Sequence, residues 1–61
     1  MSIIKVICIK QYTLVVYYTK AECYNYAIVD RNGIVYKPND IFYTKEAAER
    51  EGRKEIKTVS K

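Results

Sequence analysis

Histidine is missing from all 61 residues, and with it the usual general base, the commonest metal ligand and the physiological pH switch. What remains for chemistry is two cysteines, seven carboxylates, eleven Lys and Arg, and seven tyrosines. Catalysis by Cys, Lys, Asp or Glu needs a nucleophile and a base that converge. Cys8 and Cys23 both lie in apolar, strand-like runs, where a thiol stays protonated and inert. Both are expected to be reduced and buried. Two Cys without His also fall short of a four-ligand zinc site. The carboxylates are dispersed: Asp30 and Asp40 stand in turn-like segments, and Glu46, Glu49, Glu51 and Glu55 along one amphipathic stretch. Asp30-Arg31-Asn32-Gly33 supplies the first oxygens of a calcium loop but none of its later ligands. No P-loop, dinucleotide fingerprint or nucleophile elbow is present. The residues therefore point away from an enzyme, with neither cofactor nor metal expected.

Two features suit binding. On a helical wheel Arg50, Arg53, Lys54 and Lys57 share one sector, and such a cluster can neutralise phosphates. The same residues also suit a solvated helix face laced by Glu46–Arg50 and Glu49–Arg53 pairs four apart. The second feature is tyrosine, at positions 12, 17, 18, 24, 26, 36 and 43, more than so small a core requires. Exposed rings near Lys10, Lys20, Arg31 and Lys37 could stack on bases or form a protein interface. A net charge of +4 favours nucleic acid or acidic proteins as partners.

The elements that must position these groups are strands first and one helix last. Residues 3–9 and 12–18 are apolar on both parities, the pattern of strands covered on two sides or central in a sheet. Lys10-Gln11 between them has neither Gly nor Asn, so strand length rather than turn chemistry implies that hairpin. After a polar connection at 19–22, residues 23–29 form a third strand. Asp30-Arg31-Asn32-Gly33 is the best turn in the chain, and residues 34–37 return until Pro38 breaks the ladder. Ile41-Phe42-Tyr43 is a short extended approach to the helix. Thr44 can cap a helix over 44–57, with Tyr43 and Ala48 in staple positions and an inward stripe of Ala48, Gly52, Ile56 and Val59.

The fold expected is α+β: a small antiparallel β-meander of three to five strands with one C-terminal helix packed on one face, as one domain spanning 1–61. A chain this short buries only about 60% of its unfolded surface, so pairing with a partner or a second copy as a homodimer is in keeping with its size. No run approaches the roughly 20 apolar residues of a membrane-spanning helix. The apolar run 3–9, broken by Lys5, also lacks a signal-peptide cleavage site. No membrane partner is expected, and cytoplasmic residence is the default.

The run Phe42-Tyr43-Thr44-Lys45-Glu46-Ala47-Ala48, preceded by the hairpin around Asp30–Gly33, gives residues 24–56 a layout that resembles the AP2-type DNA-binding domain. It is similar, too, to the arm-binding domains of tyrosine recombinases. In both, a small antiparallel sheet leads through an aromatic-x-Thr-x-Glu-Ala-Ala run into a packing helix. The resemblance implies a sheet whose outer face enters a major groove, with Arg31, Lys37, Tyr24, Tyr26 and Tyr36 as contacts. The function expected is thus a small non-catalytic binding module that leans toward nucleic acid. The alternative is a protein-binding accessory, inhibitor or regulator docking through its sheet.

Overall fold

Leu14 and Ile28 stand opposite one another on neighbouring strands, and both are fully buried. The structure, a computed structural model, describes residues 2–19, 23–38 and 40–59. Its elements are β1 (Ser2–Ile9), β2 (Tyr12–Thr19), β3 (Cys23–Val29), β4 (Val35–Tyr36) and α1 (Lys45–Val59). The strands form one antiparallel sheet in the order β1-β2-β3-β4. This is a meander with a C-terminal helix on one face, the α+β arrangement expected. Phe42 prolongs the β4 edge by a single bridge to Tyr24. Of the connection expected at 19–22, Lys20, Ala21 and Glu22 lie outside the described residues, as do the tail residues Ser60 and Lys61.

Pairing between β1 and β2 runs to Ile9 opposite Tyr12, leaving Lys10-Gln11 as a two-residue loop. Lys10 takes a left-handed φ of 55°, glycine's usual place in such loops. A side chain there costs about 1 kcal/mol, and the apolar register of β1 on β2 offsets that cost. At the second hairpin the Gly33 amide donates to the Asp30 carbonyl at 3.0 Å. Asp30 Oδ1 accepts from the amides of Asn32 (2.8 Å) and Ile34 (3.0 Å), and Gly33 sits at φ 85°. The turn chemistry expected of this tetrapeptide is in place.

Position in the sheet corrects one expectation. Although β1 is apolar on both parities, it is an edge strand, with only β2 beside it. Its register shifts between Ile3, opposite Tyr17, and Lys5, opposite Val16. This bulge leaves Ile4 unpaired and reverses the alternation expected of the strand. Ile3 joins Val6 and Cys8 on one face, and Lys5, Ile7 and Ile9 share the other with the helix. Cys8, expected buried, is consequently exposed, whereas Cys23 is buried as expected.

Helix α1 begins where Thr44 Oγ1 accepts the Ala47 amide at 3.1 Å, the cap expected. Ala48, Gly52 and Ile56 form its buried stripe, and Val59 is half-buried. With Leu14, Val16, Tyr26 and Ile28 they make the core. A Cβ added at Gly52 would lie 2.5 Å from Leu14 Cδ1 and 3.3 Å from Tyr26 Cδ1. Glycine is thus what lets the helix backbone press onto β2 and β3. Tyr12 donates its hydroxyl to the Val59 carbonyl at 3.4 Å, meeting one of the acceptors orphaned at a helix end. The expected staple does not form, because Tyr43 is 76% exposed.

Candidate functional site

Because Leu14, Val16 and Ile28 face the helix, the strand residues between them face the other way. Register assigns that open face to cross-strand rows. Cys8, Thr13, Val29 and Val35 make the first; Val6, Val15 and Ala27 the second; Ile3, Tyr17 and Asn25 the third; Thr19 and Cys23 the last. None of these side chains carries a charge. Ile3 is 61% exposed, Val6 56% and Val35 50%, and no described element packs over them. The result is an uncharged, mostly apolar face three strands wide, which β4 extends only at Val35, with Ala27 and Cys23 buried within it, on a chain whose net charge is +4.

The charges lie elsewhere. Lys5, on the helix side of β1, reaches Glu49 Oε1 at 3.2 Å, and Arg53 Nε donates to Glu49 Oε2 at 3.0 Å. This carboxylate ties the edge strand to the helix, and the Arg53 and Lys5 hydrogen bonds, in that order, hold its pKa below the usual value. Of the two helical pairs expected, Glu49–Arg53 is formed, and Glu46–Arg50 is not among the ion pairs of the described residues. Glu46, Glu49, Arg50, Arg53, Lys54 and Lys57 outline one open trough on the helix. The expected basic cluster is therefore a single surface, but Arg53 is engaged by Glu49. Arg50, Lys54 and Lys57 remain exposed around it.

The tyrosines implied as contacts on the outer face are on the opposite one. Tyr24 and Tyr26 pair with Tyr18 and Val16, and Tyr36 with Ile28, all residues of the helix side. Tyr26 is 6% exposed and stacks at a tilt on Phe42 with centroids 5.8 Å apart. Burial raises its hydroxyl pKa, and Glu55, Glu51 and Asp40 push the same way, so its proton is firmly held. Tyr24 is half-buried, edge-on to Tyr18 at 5.2 Å. Tyr36 is partly exposed beside Lys37, Pro38 and Glu55. A buried ring cannot stack on a base, which corrects the assignment of Tyr26. Arg31, at the hairpin tip, and Lys37, beyond β4, are exposed and far along the chain from the helix cluster. Tyr17 is the tyrosine that reaches the open face, on the parity it shares with Thr13 and Val15, and it stands outside the contacts that the resemblance implies.

Among the described residues no three of His, Cys, Asp or Glu come together as a metal site. Nor is any helix there long and apolar enough to cross a membrane. Compared with protein-family models, with curated proteins and with solved structures, the chain matches none.

Proposed function

We propose that this chain is a small non-catalytic binding module that docks a protein through the open face of its sheet. One observation carries the reading: the paired positions of that face hold no charge, while Ile3, Val6 and Val35 stay half or more exposed. An apolar surface of this extent on a small chain is the usual mark of an interaction site. Nucleic acid is poorly served by such a surface, which offers no cation to phosphate and little beyond Tyr17 to a base. A second reading rests on Arg50, Lys54 and Lys57, exposed along one helix flank, which could meet phosphates without the sheet.

Photo-crosslinking separates the two. A benzophenone side chain replaces Val6 in one protein and Lys54 in another, and each is irradiated in extract with nucleic acid present. Protein adducts from position 6 are expected. Nucleic-acid adducts from position 54, with none from position 6, would overturn the reading.

A further inference from the structure

We propose that the occupant of the open sheet face is a second copy of this chain, the two sheets packing face to face about a twofold axis with the helices outermost. This inference rests on the docking reading above and names the partner. Charge is the first argument. Two chains of net charge +4 repel unless their meeting surfaces keep cations apart. Here the paired positions of the open face are neutral, and Arg50, Arg53, Lys54 and Lys57 lie on the helix at the far side of the sheet. An isologous contact can thus form without placing like charges opposite one another.

The sheet edges give the second argument. An exposed edge strand invites pairing of backbone to backbone unless it is blunted. β1 is blunted by its bulge at Ile3/Lys5 and by Lys5 itself, and β4 is two residues long with Pro38 close behind. Edge-to-edge growth is therefore discouraged at both sides, and no such device protects the face. The middle row, Val6, Val15 and Ala27, is made of small apolar side chains. That suits the roughly 10 Å spacing of packed sheets, with Val15 on central β2 meeting its own copy near the axis.

Area is the third. Strands about 4.8 Å apart and about seven residues long at about 3.3 Å each give a face of roughly 350 Å² in projection. Side-chain relief brings the accessible area buried by two copies to about 1,000 Å², the threshold of a specific interface. An interface at that threshold fits a reversible dimer, not an obligate one.

The test is sedimentation velocity of the whole chain from about 5 µM to about 500 µM, at low and at high salt, with Val6→Lys and Val35→Lys beside the wild type. We expect a mass that doubles with concentration, tightens modestly with salt as the +4 charges are screened, and weakens at least about 100-fold in either variant. Phosphate binding has the opposite salt dependence. As a second readout, alkylation of Cys8 should slow in step with the rise in mass across the same concentrations, because the dimer covers its thiol. A monomer at every concentration overturns the self-docking, and so does a dimer indifferent to both substitutions or one that leaves Cys8 equally reactive. If the chain is monomeric yet position 6 still crosslinks to a different protein, the docking face stands and only its occupant changes. If position 6 crosslinks to nothing, both readings fall.

Discussion

Gly52 and Glu49 show how single residues decide where this helix sits. A methyl at Gly52 would gain about 1 kcal/mol of helix propensity. It would also drive into Leu14, a fully buried side chain that must then shift within the core. Overpacking of this kind costs about 1–3 kcal/mol, so Gly52→Ala should come out destabilised by about 1 kcal/mol. For a domain this small, that loss reads as a fall of about 4–8 °C in melting temperature. Glu49 makes a different prediction. Its folded pKa lies below the ordinary 4.5 because Arg53 and Lys5 hydrogen-bond its carboxylate. The stability it contributes is full above the unfolded value and is lost as pH falls through the folded one. Glu49→Gln should therefore melt below wild type at neutral pH, and the gap should close as pH drops below the ordinary 4.5 and through the lowered folded value. Melting curves across that range check the sign; a gap that widens in acid would refute the assigned ion pairs.

At the scale of elements, most of the fold was legible in residue order. The cap at Thr44, the buried stripe Ala48-Gly52-Ile56 and the Asp30–Gly33 turn all act through contacts within a few residues, and local chemistry announces them. Strand neighbours are not announced in that way. The double-sided apolar pattern of β1 argued for a covered strand, yet β1 lies at an edge. Ile7 and Ile9 pack against the core while Ile3, Ile4 and Val6 are exposed, and residue order does not distinguish exposed apolar surface from covered. The bulge at Ile3/Lys5 was equally silent, and it alone reverses which β1 residues face the helix. The Lys10-Gln11 loop is a third case, since nothing in its composition suits a left-handed residue. Its strain can be relieved: Lys10→Gly should stabilise the protein by about 0.5–1 kcal/mol. Thermal denaturation should show the rise, and an unchanged or lower midpoint would contradict the turn geometry.

Viewed whole, the molecule divides its surface by face. The helix carries the charge, and the sheet's far side carries none at its paired positions. The candidate site was half legible for that reason. The basic cluster could be read from a helical wheel, but which tyrosines were free depended on register, and register placed Tyr26 in the core and Tyr17 on the open face. Adjacent residues offer the most direct test of the docking account. The bulge turns Ile3 to the open face and Ile4 to the helix side, where it lies beside Lys45 and Val16. Methyl resonances can be followed with a water-soluble nitroxide that broadens whatever solvent reaches, at low and at high protein concentration. The account predicts that Ile3, Val6 and Val35 are broadened in dilute solution and protected in concentrated solution, while Ile4 remains broadened in both. Broadening of Ile3, Val6 and Val35 that persists unchanged at every concentration and with extract proteins added would contradict it.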